Sequence, residues 1–209
     1  MAPKLRPPSA IIVISAHWEE PIPTVTSGRQ PSLIYDYYGF PPEAYQIRYP
    51  CPGEPGLAQC LHDQLKGAGI AARLDPDRGF DHGLFVPLKI LFPAAEIPCI
   101  QLSLLKSLSP SEHIALGKQL RHLEQPNLLV IGSGFTFHNI RNFFEVETPT
   151  AAAMNAAFEA WLLETCTSQD LSEAEREQRL LNWESAPHAR FCHPREEHLL
   201  PLHVCYGVA

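Results

Sequence analysis

Histidine side chains are the residues of this chain whose positions best suit chemistry. Ten histidines occur in 209 residues. His17 directly follows the apolar segment 11–15, and His138 follows another apolar segment, 128–131, through a glycine-rich turn. In open α/β sheets, ligands bind beyond the carboxyl ends of the strands. These two histidines are therefore candidates for one binding site.

Two further histidines have neighbours that suit a metal site. His82 stands beside Asp81, between a predicted strand and a predicted helix, and His198 follows Glu196 and Glu197. Neutral imidazole binds Fe(II) and Zn²⁺, and adjacent carboxylates can orient such rings. Two histidines plus one further ligand leave coordination positions open for a substrate. The alternative, that a loop histidine only hydrogen-bonds a backbone carbonyl, stays open for each of them.

Other histidines and motifs are weaker candidates. His62, His113 and His122 fall on the surfaces of predicted helices, where solvated side chains are the rule. Cys192 and His193 are adjacent, but neighbouring side chains on an extended segment point apart, which disfavours a thiol–imidazole pair. The sequence has no GxSxG, P-loop or HExxH motif.

The segments around these histidines alternate between strands and helices. Apolar runs predict strands at residues 10–15, 70–74, 97–104 and 128–131. Helical spacing and capping residues predict helices that begin near residues 57, 84, 110, 149 and 172, the third of which should run to about residue 125. We expect the proline-rich segment 21–54 to form a long functional loop. This alternation predicts one α/β domain over residues 1–209, with a central sheet covered by helices.

Bulk composition excludes several classes of partner. The net charge is −7, the pI is about 5.8, and no basic cluster is present, which argues against nucleic acid. The apolar runs are too short to cross a bilayer. Residues 1–6 have two positive charges with no apolar segment behind them, which predicts no secretory signal. Six scattered cysteines without a CxxC pair predict a reducing compartment, and hence the cytoplasm.

Six motifs occur together in an order that is typical of one family. They are Ile14-Ser15-Ala16-His17-Trp18, Tyr38-Gly39-Phe40-Pro41, Tyr49-Pro50-Cys51-Pro52-Gly53, Gly79-Phe80-Asp81-His82-Gly83, Gly132-Ser133-Gly134 with His138-Asn139, and His193-Pro194-Arg195-Glu196-Glu197-His198-Leu199-Leu200-Pro201-Leu202. Through them, residues 8–205 resemble the LigB-like class III extradiol dioxygenases, in the branch of the 4,5-DOPA dioxygenases. The resemblance implies a mixed central sheet flanked by helices.

The resemblance also implies a role for each of four histidines. It implies metal ligation by His17, His198 and His138, and assigns His138 the acid/base role above the substrate. It implies that His82 contacts the substrate or the oxygen intermediate. The implied cofactor is Fe(II), for which zinc often stands in crystals, and the implied reaction inserts both atoms of O2 into the ring of a catechol. An imidazole that titrates near neutrality can take up the catechol proton and return it.

The chain departs from the family pattern at both ends. The family begins with a strand followed by His-Gly-Ser-Pro or His-Gly-Gly-Gly-Pro, whose histidine is a ligand. In this chain, the strand at 10–15, which should be the second, lies only a few residues after Met1. We therefore expect the first strand and the C-terminal strand of the family to be lacking. We also expect an unpaired, apolar edge at residues 11–15, weakened metal binding and possible self-association.

Three functional alternatives stay open. The first is a working ring-cleaving enzyme in which Glu19, Glu20, Glu196 or Glu197 supplies the carboxylate of a two-histidine facial triad. The second is a truncated, catalytically weak or inactive metal-binding relative that acts as an interaction protein. The third is a zinc hydrolase on the same scaffold. For the first, the expected partners are a small-molecule catechol and O2, with no nucleic acid and no membrane.

Overall fold

The structure, a computed structural model, describes residues 7–143 and 148–209. The expectation about a secretory signal concerns residues 1–6, which lie outside these ranges. The strands are β1 (Ala10–Glu20), β2 (Thr24–Thr26), β3 (Leu33–Ile34), β4 (Arg73–Asp75), β5 (Phe80–Asp81), β6 (Cys99–Leu105) and β7 (Leu128–Ser133). The helices are α1 (Pro55–Gly67), α2 (His82–Leu91), α3 (Pro110–Leu120), α4 (Pro149–Thr167), α5 (Glu173–Leu181), α6 (Ala189–Cys192) and α7 (Leu200–Val208). None of the described helices is both long and apolar enough to span a bilayer.

The main sheet is mixed and has the strand order β4-β2-β6-β1-β7. β1 runs parallel to both β6 and β7, whereas β2 pairs antiparallel with β6 and parallel with β4. A second, smaller sheet consists of β3 and β5, which are parallel. The predicted α/β fold with a mixed central sheet is therefore confirmed.

β1 forms from the apolar segment that predicted a strand. Its residues 11–14 are 0% exposed, because β6 and β7 pair with its two edges and helices cover its two faces. Ile12 and Ile14 join the core cluster under α1, α3 and α7, while Ile11 and Val13 join the cluster under α2. This alternation follows from the two-residue period of a strand. The expectation that residues 11–15 form an unpaired edge is therefore wrong.

The two edges of the main sheet differ in length and charge. β4 is three residues long and has the charged residues Arg73 and Asp75, features that resist further pairing. β7 has the uncharged sequence Leu128–Ser133, and within the described ranges β1 is its one strand neighbour. Self-association stays a prediction, and β7 rather than β1 is the edge where we expect it.

Several local predictions need correction. α3 ends at Leu120 rather than near 125, and the strand expected at 70–74 is β4, at Arg73–Asp75. The segment 21–54 contains β2, β3 and a short 3₁₀ helix, so it is not a continuous loop. His113 is buried rather than solvated, because its ring joins a strand to a helix: Nε2 accepts a hydrogen bond from the Leu105 N–H at 3.0 Å, and Nδ1 donates to the Ser109 carbonyl at 2.7 Å.

Candidate functional site

Four histidines from distant parts of the sequence form one cluster near the carboxyl ends of β1 and β7, and we call the space around this cluster the pocket. The ring of His17 lies 3.9 Å from that of His82 and 4.9 Å from that of His198, between centroids. The rings of His138 and His198 are stacked at 3.3 Å. The side chains of these four residues are between 6% and 27% exposed, so each reaches solvent or a cavity.

A bulge at the end of β1 presents His17 to the pocket. Ile14 pairs with Leu102 of β6 and Glu19 pairs with Leu104, so the residues between them do not follow the regular ladder. Such a bulge redirects the side chains within it. The His17 N–H donates to Ser15 Oγ at 3.2 Å, which holds the bulged backbone. His17 thus lies within β1 rather than directly after it.

Asp81 anchors the end of β1 to the start of α2. Its Oδ1 accepts hydrogen bonds from Ser15 Oγ at 2.8 Å and from the Gly83 N–H at 3.0 Å, and its Oδ2 accepts from Arg78 at 3.2 Å. The expectation that Asp81 orients the ring of His82 is wrong. Asp81 is the N-cap of α2, and an N-cap side chain turns toward the second N–H of its helix rather than toward the neighbouring side chain.

Asp36 is the carboxylate that contacts His82, and sequence reasoning missed it. Its Oδ1 accepts hydrogen bonds from the His82 N–H at 3.0 Å and from His82 Nδ1 at 2.8 Å. Pairing of β3 with β5, with Ile34 opposite Asp81, brings the two residues together. Burial opposes ionisation of Asp36, but the hydrogen bonds from His82 outweigh it and lower the pKa of the carboxyl. The feature of the sequence that could have identified Asp36 is its position as a single acidic residue between the aromatic residues Tyr35 and Tyr37.

Glu197 occupies the corresponding position on the opposite side of the pocket. Its Oε1 lies 3.1 Å from His138 Nδ1 and 3.0 Å from His198 Nδ1. Burial disfavours its charge, but the hydrogen bonds from these two rings hold the pKa of the carboxyl well below its usual range. Glu196, the other expected orienter, instead pairs with Arg190 at 2.9 Å.

An ion pair joins the two chain segments that hold His17 and His198. Arg195 donates to the carboxylate oxygens of Glu19 at 2.5 and 2.7 Å, in the two-bond arrangement that guanidinium favours. Glu20 accepts from the Trp18 indole at 3.0 Å and pairs with Arg73 at 3.2 Å. Of the four glutamates considered as replacement ligands, Glu197 is therefore the one that lies among the histidines.

The loop after β7 places His138 over His198. The His138 N–H donates to the Cys192 carbonyl at 2.9 Å, and the Asn139 amide donates to the Phe191 carbonyl at 2.7 Å. His193 Nε2 donates to the Thr136 carbonyl at 2.9 Å, so its ring stabilises the conformation of this loop. The Cys192 carbonyl and the His193 ring thus each hydrogen-bond to backbone groups of this loop. The thiol–imidazole pair between them, which the sequence disfavoured, is not formed.

Electrostatics keep His17 neutral. Burial, followed by the neighbouring rings of His82 and His198, lowers the pKa of His17 from 6.5 to about 4. Burial also lowers the pKa of His198. Since metal ions bind the neutral imidazole, both side chains are prepared for ligation at neutral pH.

The donor set fits a divalent ion. His17, Asp36 and His82 form one group, and His138, Glu197 and His198 form another, with ligand atoms within 4.8 Å of one another in each. Nitrogen and oxygen donors of this kind suit Fe(II) and Zn²⁺.

Ring orientation separates the candidate ligands. The rings of His138 and His198 are stacked with their planes only 18° apart, so their in-plane lone pairs point in nearly parallel planes. The rings of His17 and His198 are 78° apart, which allows convergence. Ligation by His17, His198 and His138 stays a prediction, as does the acid/base role of His138.

Three cavities adjoin the histidines. One of about 390 Å³ reaches His198, and one of about 570 Å³ is lined by His138 and Glu197. The third, about 280 Å³, lies beside His82 and has apolar walls that include Tyr37 and Phe40. Apolar walls next to a few polar groups are typical of sites for small organic molecules.

Comparisons with known proteins agree over nearly the whole chain. The profile of a family described as the catalytic LigB subunit of aromatic ring-opening dioxygenase matches residues 2–209. Dioxygenase tasH of Hapsidospora irregularis is 39% identical over 214 residues, which cover 98% of this chain and 65% of that protein. The 4,5-DOPA dioxygenase extradiol of Beta vulgaris is 39% identical over 203 residues, which cover 97% of this chain and 74% of that protein.

A solved structure extends the agreement to three dimensions. The crystal structure of an uncharacterized protein from Escherichia coli K12 superimposes with a TM-score of 0.74 at 32% identity, over 96% of this chain and 75% of that one. The chain thus spans 65% of the length of dioxygenase tasH and about three quarters of the lengths of the other two proteins. The described fold and the family match agree, and the chain belongs to the family of the catalytic LigB subunit of aromatic ring-opening dioxygenases.

Proposed function

We propose that this chain is an Fe(II)-dependent extradiol dioxygenase that cleaves the ring of a DOPA-like catechol with O2. The observation that supports the proposal most is the clustering of four imidazoles and two carboxylates beside an apolar cavity. Relatives named 4,5-DOPA dioxygenase extradiol support the choice of a DOPA-like substrate.

His17 and His198 would hold the metal ion. Their rings are nearly perpendicular, and burial keeps both in the neutral form that binds metals. Two protein ligands leave adjacent positions free for the two oxygens of a catechol. When bound, Fe(II) supplies the reactivity toward O2 that an aromatic ring lacks.

His138 is the proposed acid/base group. Glu197 Oε1 lies 3.1 Å from His138 Nδ1, and a carboxylate only accepts hydrogen bonds, so this contact favours a proton on His138 Nδ1. The neutral ring then has its lone pair on Nε2, where it can take a proton from a catechol hydroxyl and later return it. Glu197, whose pKa is held low, stabilises the positive charge that His138 gains in the process.

His82 is the proposed substrate contact. Its ring lines the cavity whose apolar walls include Tyr37, Phe40 and Ile47. These walls bury the aromatic ring of a catechol favourably, while the imidazole can hydrogen-bond its oxygens.

The proposal is tested by oxygen consumption. We would purify the chain without metal, load it anaerobically with Fe(II), and add L-DOPA and air. We expect the uptake of one molecule of O2 for each catechol, together with a yellow semialdehyde product. His17→Ala should lose the metal and lower turnover by at least about 100-fold, a loss typical of a removed essential group.

The matched control is His122→Ala, which removes an exposed histidine outside the pocket. This variant should retain metal content and turnover. Absence of oxygen uptake by the Fe(II)-loaded chain would contradict the proposal and favour an inactive relative. Zinc-dependent hydrolysis without oxygen consumption would favour a hydrolase.

We also infer a cytoplasmic location and small-molecule partners. All six cysteines are free thiols, in keeping with a reducing compartment. The acidic net charge of −7 supports the absence of nucleic acid as a partner. Fractionation of cells and sedimentation of the purified chain would test the location and the possible self-association.

A further inference from the structure

The contact between Asp36 and His82 restricts the ring of His82 in two ways. Asp36 Oδ1 accepts both the backbone N–H of His82, at 3.0 Å, and ring Nδ1, at 2.8 Å. One oxygen thus holds the start of α2 and the ring that projects from it. The ring also lies edge-on to Tyr37, with centroids 5.4 Å apart, which limits its rotation further.

The same contact decides which ring nitrogen has the proton. A carboxylate oxygen accepts and does not donate, so the Nδ1 atom 2.8 Å from it must be protonated. In a neutral imidazole the other nitrogen, Nε2, then holds the lone pair. Asp36 therefore determines the chemical character of the nitrogen that His82 presents to the cavity.

We propose that Asp36 is a positioning residue that holds His82 in the Nδ1-protonated tautomer and turns its Nε2 toward the substrate cavity. That Nε2 then acts as a hydrogen-bond acceptor for a hydroxyl group of the bound molecule. The functional part of this inference rests on the proposed function, since the substrate is the catechol assigned there. The structural part, which is the tautomer of His82, is independent of the proposed function.

Asp36 has the geometry of a positioning residue rather than of a metal ligand. Its Oδ1 is used by two donors on His82, and its Oδ2 lies 4.0 Å from His17 Nδ1, with no hydrogen bond between them. Glu197 contacts two imidazole rings in the same manner across the pocket. Carboxylates that fix imidazole tautomers in this manner are common beside metal sites.

The experiment compares Asp36→Ala and Asp36→Asn with the wild-type chain. Nitrogen-15 NMR of the metal-free protein reports the tautomer of each histidine, with His82 assigned by its absence from the His82→Gln spectrum. We expect the Nδ1-protonated form in the wild type, its loss in Asp36→Ala, and its retention in Asp36→Asn, since an amide oxygen still accepts both hydrogen bonds.

Activity and zinc affinity give the second readout. With Fe(II) and L-DOPA, we expect kcat to fall about 10–100-fold in Asp36→Ala and to recover in large part in Asp36→Asn. Zinc affinity, measured with a competing chelator, should change less than about threefold in both. The matched control is Asp63→Ala, which removes a similar contact, 2.9 Å from His62 Nδ1, on the exposed surface of α1.

Three results would overturn the inference. They are a wild-type His82 with its proton on Nε2, an Asp36→Ala spectrum with an unchanged His82, and a loss of zinc affinity of about 100-fold in both Asp36 variants. The last would make Asp36 a ligand. A chain that shows the Asp36-dependent tautomer but cleaves no catechol would contradict the proposed function and leave the tautomer assignment in place.

Discussion

Single side chains in this pocket are held by partners that limit them to one protonation state. Asp36 and Glu197 each contact imidazole Nδ1 atoms, and burial keeps His17 neutral. His193, behind the pocket, is buried and donates its Nε2 proton to the Thr136 carbonyl. Its Nδ1 is buried and finds no hydrogen-bond partner among the described residues. A second proton on this ring would therefore be a buried charge without an acceptor.

This arrangement predicts a pH-dependent stability. Burial lowers the pKa of His193 from 6.5 to about 4. Between these values the unfolded chain binds a proton at this histidine and the folded chain does not, so the free energy of unfolding decreases as the pH falls. We expect His193 to contribute a loss of up to about 1.4 kcal/mol for each pH unit across that window.

Denaturant unfolding at a series of pH values checks this prediction. In His193→Gln, an amide N–H can still donate to the Thr136 carbonyl, but no group titrates. The pH dependence should be shallower in this variant than in the wild type, and unchanged in His122→Gln, which alters an exposed histidine. Equal slopes in all three proteins would show that His193 is not responsible.

Packing between α3 and α7 supports the position of His198, which lies just before α7. α3 and α7 approach closely at two glycines: a Cβ on Gly117 would lie 2.8 Å from the Cα of Gly207 and would overlap the Val204 carbonyl oxygen. His198 immediately precedes α7, and the Phe135 N–H donates to its carbonyl at 3.0 Å. The contact of α3 with α7 thus supports the segment that holds a proposed ligand.

A pair of glycine substitutions tests this contact. Gly117→Ala should lower the free energy of unfolding by about 1–3 kcal/mol, because an added methyl group forces the two helices apart. Gly67→Ala, in α1, adds the same group where nothing lies within 4 Å. It should be neutral or stabilising by up to about 1 kcal/mol, since alanine favours helix. Equal effects in a denaturant titration would mean that the helices adapt without cost.

Across the whole molecule, the pocket joins segments that are far apart in the chain. β1 supplies His17, α2 supplies His82, the loop after β7 supplies His138, and the segment before α7 supplies His198. An ion bound by two of these segments stabilises the folded chain, because the unfolded chain cannot offer both ligands at the same spacing. Global stability is therefore a measure of ligation that does not depend on turnover.

Thermal unfolding with zinc tests this coupling. At a free zinc concentration about 100 times Kd, binding stabilises a protein by about 2.7 kcal/mol, which for a chain of this size raises Tm by roughly 5–10 °C. Glu197→Gln should reduce this shift, since Glu197 orients His198. Glu196→Gln changes the adjacent glutamate, which pairs with Arg190, and should leave the shift intact. Equal shifts in both variants would argue against an orienting role for Glu197.

Local sequence patterns were sufficient to predict the class of fold and to identify the candidate histidines. β-branched residues at 11–14 predict a strand wherever it lies in a sheet, because the pattern depends on local backbone preference and burial. The capping residues of α3 and α5 predicted those helices for the same reason, and the structure forms both caps. Motif order pointed to the family, which the comparisons confirm.

The partners of the polar side chains, in contrast, depend on how distant segments of the chain pack together. Asp36 contacts His82 across 46 positions of sequence because β3 pairs with β5, a pairing that no local pattern encodes. Asp81, adjacent to His82, turns away because helix capping uses its carboxylate. β1 is paired on both edges rather than exposed, since β6 and β7 reach it from far along the chain. Local patterns report backbone preference and burial, whereas the partner of a polar group depends on which distant strands meet.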